Sequence, residues 1–345
     1  MSPEAHTRPL AELRQADAAE FGGKSSSLGE LIAGEIPVPP GFALSVSAFR
    51  LFVSEAGLGG RVEKALASLD PGDVSRVAAL SRALGEEMRS AAVPEAVRSE
   101  IAARYAELGE DVPVAVRSSA LGEDSADATF AGQQETYLWV RGADGICDAV
   151  RDCWISLFSP EALTYRARLG DGQPPAMGVT VQLMVDAAVS GVMFTCNPVS
   201  GDPSMVAINA SWGLGLAVVG GEVTPDDYLV SKVTREVVKR TVSPKDVEYV
   251  PGPDGRGAVR REIADERRDA PCLDETQLAS LVDVGRRVEK HFGSRQDIEW
   301  ALDGGGELFV VQSRPVTATA KRPEGAKPLS AIDMVMSKFG AKPNA

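Results

Sequence analysis

At 345 residues the chain is longer than one hydrophobic core usually supports, which predicts two domains. A hydrophobic fraction of 44% and a charged fraction of 25% are ordinary for a globular protein and exclude the disordered and fibrous classes. The net charge of -13 argues against general nucleic-acid binding, because lysine and arginine must neutralise the phosphate backbone. A phosphate site in this chain therefore has to be built locally, with magnesium able to supply further positive charge.

The cysteine pattern and the N-terminal composition indicate the cellular compartment of the protein. The four cysteines have no C-x-x-C spacing, so we expect neither a zinc site nor a disulfide framework. The first residues, MSPEAHTRPLAELR, have no apolar segment of the signal-peptide kind, and no later run is long enough to span a membrane. We therefore expect a cytoplasmic protein.

A glycine- and serine-rich segment, FGGKSSSLGELIAG, occupies residues 21–34. The pattern predicts a loop that enters a helix, with Ser25 or Ser26 as the N-cap. Lys24 then lies beside a helix N-terminus, which is a place where phosphate binds well. The spacing is not that of a Walker loop, and a capped surface helix with a solvated lysine explains the segment equally well.

The next polar segment, VAVRSSALGEDSADATFAGQQET, covers residues 114–136. An apolar run predicts a strand that delivers Arg117 to a loop of small residues, and arginine with exposed backbone N–H groups suits an anion. We interpret the segment as a polyphosphate site, although a solvated turn would also fit the residues. Before it, residues 47–108 have a helical pattern typical of scaffold. After it, residues 145–158 predict a helix that buries Trp154.

From residue 177 onward the sequence alternates in the manner of strands. Residues 177–185 predict a half-buried strand whose last residues, Gln182 to Val185, form an edge where main-chain groups could read a purine. The segment SWGLG then brings Gly213 and Gly215 close together. Either close approach to a ligand or tight strand packing would explain these glycines.

Residues 296–315, QDIEWALDGGGELFVVQSRP, predict a β-hairpin around an Asp-Gly-Gly-Gly turn. Alternation places Glu299 on one face of the first strand and both Gln312 and Arg314 on one face of the second. The pairing can therefore bring together oxygen ligands for a hard cation and a guanidinium for the phosphates that this cation bridges. An ordinary cross-strand ion pair is the alternative.

These motifs occur together in a recognisable order: FGGKSSSLGE, PVPPGFALS, VAVRSSALGEDSADATFAGQQETYL, SGVMFTCNP with SWGLG, and DIEWALDGGGELFVVQSRP. The order resembles the ATP-binding domain of the phosphoenolpyruvate synthase, pyruvate phosphate dikinase and rifampicin phosphotransferase family over about residues 10–318. The resemblance implies an α+β ATP-grasp fold whose two subdomains close over ATP and Mg²⁺. We place the N-terminal subdomain at 1–185, the C-terminal subdomain at 186–320 and a tail at 321–345.

The resemblance also implies roles for individual residues. Lys24 and Arg117 would hold phosphates, and Arg314 would neutralise the transferring group; these three are the catalytic candidates. The magnesium ligands would be Glu299 and Gln312. The remaining candidates form the loop over the phosphates and the adenine lining, and they are Thr129, Ala131, Gly132, Gln133 and Thr136 for the loop and Gln182, Met184 and Val185 for the adenine.

Two departures from the family affect the functional prediction. Leu216 stands where relatives usually carry glutamate after WGLG, so the resemblance carries no polar role over to that position. The sequence has two histidines, His6 and His291, and neither lies in the glycine-rich Ser-His context of the histidine that accepts the phosphoryl group in this family.

The resemblance therefore implies a subunit that passes the β-phosphoryl group of Mg-ATP to a histidine on a partner polypeptide, releasing AMP and phosphate. The partner would phosphorylate a small acceptor, and split synthases that phosphorylate a phenol or an alkylphenol have the same organisation. Two alternatives stay open: a regulatory ATP-binding module without turnover, and a self-sufficient ATP-grasp ligase that releases ADP.

Overall fold

The computed structural model describes residues 5–67, 69–120, 135–169 and 175–316. The chain divides into two compact units. The N-terminal unit consists of residues 1–29 and 40–184, and the C-terminal unit consists of residues 30–39 and 185–345. The proline-rich segment that precedes residue 40 thus belongs to the C-terminal unit, where the Pro37 carbonyl accepts a hydrogen bond from the Val310 amide over 2.7 Å.

Both helices and strands build the described part of the N-terminal unit. Its strands are β1 (Thr7–Pro9), β2 (Gly41–Leu44), β3 (Val114–Ala120), β4 (Thr136–Val140) and β5 (Met177–Leu183). Its helices are α1 (Ala18–Phe21), α2 (Gly23–Ala33, which continues into the second unit), α3 (Val46–Glu55), α4 (Gly59–Ala67), α5 (Val74–Ser90), α6 (Glu95–Leu108), α7 (Ala143–Ser156) and α8 (Pro160–Leu169). The strands form an antiparallel sheet in the order β1-β2-β5-β3-β4.

The valines of β3 and β5 form the floor of the N-terminal core. Val114 and Val116 of β3 and Val179 and Val181 of β5 are fully buried in one cluster with the apolar faces of the helices. At its centre the Trp154 ring lies 5.0 Å from the Phe52 ring, and the two rings are stacked. The prediction that Trp154 is a core residue is confirmed, and the opposite face of β3 and β5 is left for polar side chains.

The C-terminal unit contains a longer sheet in its described residues. Its strands are β6 (Ala187–Phe194), β7 (Met205–Trp212), β8 (Asp226–Ser231), β9 (Val237–Thr241), β10 (Val247–Pro251), β11 (Ala258–Glu262), β12 (Gln296–Asp303) and β13 (Leu308–Pro315). Its helices are α9 (Leu216–Val219), α10 (Asp265–Arg268) and α11 (Glu275–Phe292). Six strands pair antiparallel in the order β13-β12-β6-β7-β8-β9, while β10 and β11 form a separate ribbon.

Helix α11 covers one face of the six-stranded sheet. It begins with a capping box in which the Asp274 carboxylate accepts from the Gln277 amide over 2.8 Å, and it ends at Gly293, which has φ of +66°. A Cβ atom on Gly285 would lie 3.4 Å from the Met193 sulfur, so the helix packs on the face that carries Met193. Alternation in the strands leaves the other face, which carries Val192 and Glu299, uncovered by this helix.

A buried ion pair fixes the strand β8 to the segment that follows β9. The Lys245 ammonium lies 2.6 Å from the Asp226 carboxylate, and both side chains have no exposed surface. The second carboxylate oxygen accepts from the Cys272 amide over 2.8 Å and from the Tyr228 hydroxyl over 3.1 Å. Both oxygens of this buried carboxylate have partners, so we assign the ion pair a structural role in the C-terminal unit.

Candidate functional site

In the N-terminal unit, helix α2 packs its first turn directly against strand β3. Gly22 has φ of +82°, and a Cβ atom there would lie 2.2 Å from the Ser119 carbonyl oxygen, so the approach requires glycine. Lys24 is the second residue of α2 and is 6% exposed, and its ammonium donates to the Ser118 carbonyl over 2.9 Å. The structure thus holds Lys24 as a buried cation at the start of a helix, which is not the solvated surface lysine of the alternative interpretation.

The prediction that Ser25 or Ser26 caps this helix is wrong. The helix begins at Gly23, so both serines lie inside its first turn, and both are fully buried. The Ser25 hydroxyl and the Thr180 hydroxyl of β5 are 2.7 Å apart. The serines are there because a small polar side chain fits between a helix and the polar face of a sheet, where a larger one would keep the two apart.

Arg117 lies on the same face of the N-terminal sheet as two other candidates. It is opposite Thr136 of β4 and Thr180 of β5 in the pairing register. Gln182 is opposite Ala115, so it is a diagonal neighbour of Arg117, at a Cα separation of about 7–8 Å. Arg117, Thr136 and Gln182 thus share the face on which α2 presents Lys24, and the four predicted residues are brought together.

The predicted adenine strand differs from the expectation in position. Strand β5 was expected to be half-buried with an edge at Gln182 to Val185, but it lies in the middle of the sheet between β2 and β3 and is buried on both faces. It ends at Leu183, whose amide donates to the Pro40 carbonyl, and the Met184 amide donates to the Pro113 carbonyl over 2.9 Å. The edge prediction is wrong because β2 and β3, far away in sequence, pair on either side of β5.

Four other predicted residues lie outside the described residues: Thr129, Ala131, Gly132 and Gln133. Val185 is the first residue of the C-terminal unit, and its carbonyl accepts from the Ala187 amide over 3.0 Å. Their roles in covering the phosphates and in lining the adenine stay predictions.

The predicted hairpin near the end of the described chain is confirmed. Strands β12 and β13 pair so that Glu299 is directly opposite Gln312 and Asp297 is directly opposite Arg314. The Arg314 Nε atom lies 3.1 Å from the Asp297 carboxylate, which is 4% exposed. The register shifts after Glu299, because Trp300 pairs with Val310 and Val311 is the additional residue. Alternation keeps both polar pairs on one face, and beyond the bulge Trp300 packs into the core.

Sequence reasoning assigned no role to two polar residues on this face of the sheet, although alternation does place Asp297 on the face of Glu299. Asp297 received no role, although it is the ion-pair partner of Arg314. Asn209 of β7 is 1% exposed and lies in the same cross-strand row as Glu299, with Val192 of β6 between them. The alternation in MVAINASW could have placed Asn209 on a sheet face, but no local pattern gives the register that aligns it with Glu299.

The first glycine of the SWGLG segment, Gly213, is required for packing. Gly213 has φ of +69°, and a Cβ atom there would lie 2.6 Å from the Tyr249 carbonyl. The neighbouring Leu214 amide donates to the same carbonyl over 3.0 Å. Gly213 is therefore required where the strand ribbon of β10 packs against the end of β7. Leu216 is the first residue of α9 and is half-buried.

The hairpin side chains have the chemistry that a magnesium ion needs. Glu299 offers carboxylate oxygens, and Gln312 offers a carboxamide oxygen directly opposite it. Within the described residues, no cluster of three or more His, Cys, Asp or Glu side chains could hold a metal. A pair of oxygen ligands suits Mg²⁺, which usually takes one or two carboxylates from the protein and completes its shell with water and substrate phosphates.

Comparison with known proteins gives consistent similarities. Residues 18–332 match the family described as "Pyruvate phosphate dikinase, AMP/ATP-binding domain". The "Probable phosphoenolpyruvate synthase" of Methanothermobacter thermautotrophicus is 39% identical over 338 residues, which are 96% of this chain and 49% of that protein. The "Rifampicin phosphotransferase" of a Streptomyces species is 42% identical over 323 residues, which are 92% of this chain and 37% of that protein.

The chain therefore spans about half the length, or less, of the curated relatives it matches. Among solved structures, D-cycloserine synthetase is similar with a TM-score of 0.30 and 14% identity, over 83% of this chain and 59% of that one. In the described part of this chain, no helix combines the length and the apolar character needed to cross a membrane.

Proposed function

Because the chain belongs to the pyruvate phosphate dikinase AMP/ATP-binding domain family and has an α+β ATP-grasp fold, we propose that it binds Mg-ATP in the cytoplasm and starts a dikinase-type phosphoryl transfer. In this proposal the β-phosphoryl group passes to a histidine on a partner polypeptide, and the γ-phosphoryl group is released as phosphate. The products are AMP, phosphate and a phosphohistidine, with one water consumed.

The observation that carries the proposal is the register of the β12–β13 hairpin. It sets Glu299 opposite Gln312 and holds Arg314 against Asp297 on the same sheet face. Phosphoryl transfer requires little covalent chemistry from a protein, because positioning and neutralisation of charge on the phosphoryl oxygens provide most of the catalysis. Two oxygen ligands for Mg²⁺ and one oriented guanidinium are sufficient for that task.

The N-terminal unit supplies the remaining charges in the proposal. Arg117 lies on the sheet face against which α2 packs Lys24, and we assign both residues to the phosphates of ATP. The small-residue loop of Thr129, Ala131, Gly132 and Gln133, together with Thr136, covers the phosphates. Gln182, Met184 and Val185 line the adenine. In a chain of net charge -13, this local concentration of basic groups overcomes the repulsion between the protein and a polyphosphate.

The histidines of the chain support a partner as phosphoryl acceptor. The His6 ring contacts the Ser47 hydroxyl at 3.0 Å, and the His291 ring contacts the Glu30 carboxylate at 3.3 Å. His6 directly precedes strand β1, and His291 lies in the last turn of helix α11. We therefore assign the accepting histidine to a second polypeptide, which phosphorylates a small acceptor. For that acceptor we propose a phenol or an alkylphenol, following the split synthases of similar organisation.

The nucleotide product distinguishes this proposal from its two rivals. Purified protein is incubated with Mg²⁺, ATP labelled in the β-phosphoryl group, and candidate partners that carry a glycine-rich Ser-His segment. We expect AMP and an alkali-stable, acid-labile phosphohistidine on the partner. A phenol added afterwards should discharge the label. Release of ADP with a carboxylate substrate alone would favour a self-sufficient ligase, and ATP binding without turnover with every partner would favour a regulatory module.

A further inference from the structure

Asn209 and Ser211 lie two positions apart on one face of β7, and their buried polar groups have no hydrogen-bond partner within the described residues. Asn209 is 1% exposed, and within the described residues neither its amide oxygen nor its amide nitrogen has a hydrogen-bond partner. Ser211 has no exposed surface, and its hydroxyl likewise has no hydrogen-bond partner within the described residues. An unpaired buried polar group loses its hydration without compensation, so native proteins keep few of them without a reason. A carboxamide with both ends unpaired is a donor and an acceptor held ready for a ligand.

The register places the Asn209 amide in the row of the magnesium candidates. Asn209 is opposite Val192, Val192 is opposite Glu299, and Glu299 is opposite Gln312. Residues that are directly opposite share a sheet face, and neighbouring strands are about 4.8 Å apart, so the Cα atoms of Asn209 and Glu299 are separated by about 10 Å. Val192 between them contributes no polar atom. Asn209 and Glu299 thus flank Val192 on the same sheet face, close enough for one ligand to contact both side chains.

Helix α11 does not occupy this space, because it covers the opposite face of the sheet. Its Gly285 packs against Met193, and Ile208 and Ile298 are the fully buried apolar neighbours of Asn209 and Glu299 along their strands. Alternation thus separates two faces of the sheet. Helix α11 covers an apolar face, and the opposite face carries the polar side chains of Asn209, Glu299 and Gln312.

We propose that Asn209 binds the metal-phosphate part of Mg-ATP: its amide nitrogen donates to a phosphate oxygen, and its amide oxygen accepts from a water molecule on the magnesium ion. The assignment rests on the proposed function. A hydrated magnesium phosphate presents acceptors and donors side by side, which is the pattern that a carboxamide complements. A carboxylate at this position would repel the phosphates, whereas the neutral amide binds them without a charge that the buried site must desolvate.

The rival explanation is an internal water molecule that joins the Asn209 amide to the Ser211 hydroxyl and serves stability alone. The variant Asn209→Leu distinguishes the ligand explanation from the internal-water explanation, because leucine has nearly the same shape as asparagine and no polar atom. If the amide serves only a ligand, the variant removes an unpaired group, and the nucleotide-free protein should unfold at the same temperature or higher. If the amide serves an internal network, the nucleotide-free protein should unfold at a lower temperature.

The test is calorimetric titration of the full chain with the non-hydrolysable β,γ-imido analogue of ATP and Mg²⁺, with adenosine as a second ligand. We expect Asn209→Leu to weaken binding of the magnesium nucleotide by about ten- to a hundredfold and to leave adenosine binding unchanged. Thr241→Val is the matched control, because Thr241 ends the same row at the edge strand β9 and is exposed. It should bind both ligands like the wild type.

Unchanged affinity of Asn209→Leu for the magnesium nucleotide would overturn the assignment while leaving the proposed function intact. A lower unfolding temperature of the nucleotide-free variant, or an equal loss of adenosine and nucleotide binding, would also overturn it in favour of a structural role. Failure of the wild-type chain itself to bind the magnesium nucleotide would overturn the proposed function first, so the two failures are distinguishable.

Discussion

Arg314 and Asp297 are directly opposite each other on strands β13 and β12, and the guanidinium Nε lies 3.1 Å from the carboxylate Oδ2. The carboxylate is almost completely buried, whereas the arginine keeps about a quarter of its side-chain surface exposed. A buried carboxylate fixes the plane of the guanidinium fork, and the remaining N–H groups of an arginine can then be directed at a phosphoryl group. We interpret Asp297 as the residue that orients Arg314.

Asp297→Asn tests this relationship. Asparagine keeps the shape but loses the charge that holds the guanidinium, so we expect turnover to fall by about 10–100-fold, as for other residues that orient a functional group. Arg314→Ala should reduce turnover further, by about 100–1,000-fold. AMP formation with a competent partner gives the rates. Asp303→Asn, at the turn end of the same strand, is the control and should be active, and equal activity of Asp297→Asn and wild type would refute the orienting role.

Glu299→Gln separates metal binding from folding. The substitution keeps the hydrogen-bonding shape but removes the only charge of the Glu299–Gln312 pair, and a neutral pair binds Mg²⁺ more weakly. We expect the magnesium concentration that gives half-maximal turnover to rise at least about tenfold, with the thermal midpoint changed little because Glu299 is only half-buried.

Titration of turnover with Mg²⁺ at saturating ATP measures the effect. Glu307→Gln, at the exposed end of the hairpin turn, supplies the control because it removes the same charge from the same hairpin without touching the row of Glu299. A Glu299→Gln variant with the magnesium dependence of the wild type would rule out this glutamate as a metal ligand.

Lys24→Met should weaken nucleotide binding without weakening the fold. The ammonium is 6% exposed and donates to the Ser118 carbonyl, and its burial costs desolvation energy, which a methionine of similar length avoids. We expect affinity for Mg-ATP to fall by about tenfold or more, because a charge-assisted contact to phosphate is lost. The unfolding temperature should stay the same or rise. Lys64→Met, on an exposed helix position, should change neither quantity.

Calorimetry for binding and differential scanning for unfolding measure both quantities on the same samples. A Lys24→Met protein that binds Mg-ATP like the wild type but unfolds at a much lower temperature would show that the lysine is a structural tie between α2 and β3. That outcome would remove Lys24 from the proposed site.

Local patterns were enough to predict several parts of this structure. The hairpin follows from alternation around an Asp-Gly-Gly-Gly turn, and the burial of Trp154 follows from the helical spacing of its neighbours. The pairing of Glu299 with Gln312 followed as well, since a short turn fixes the register of the strands that it joins. Each of these signals lies within about twenty residues of sequence.

The features that the sequence did not predict depend on distant pairing. Strand β5 is central because β2 and β3 pair on its two sides. Gln182 is opposite Gly41 of β2 and Ala115 of β3, which are 141 and 67 positions earlier in the sequence. Ser25 is buried because α2 packs on Thr180. Asn209 joins the row of Glu299 only through β6, which lies between their strands. Register between such strands is set by the packing of whole faces, which no short motif encodes.

The alkaline stability of the N-terminal unit should depend on a buried thiol. Cys147 of α7 is 3% exposed, and burial raises its pKa from 9.0 to about 11, with the nearby Arg98 opposing the rise. The unfolded chain releases this proton at lower pH than the folded protein does, so above pH 9 the unfolded state binds fewer protons, and stability falls as pH rises. The contribution is complete below pH 9 and is lost on the way to pH 11.

Cys147→Ala removes this dependence. Between pH 8 and pH 10 we expect the unfolding free energy of the wild type to fall by about 1 kcal/mol more than that of the variant, since one pKa unit corresponds to 1.36 kcal/mol. Urea unfolding at each pH gives the unfolding free energy of the wild type and of the variant as a function of pH. The cavity left by the smaller side chain accounts for the constant difference between the two curves below pH 8. Parallel curves across this range would mean that the thiol ionises equally in the folded and unfolded states.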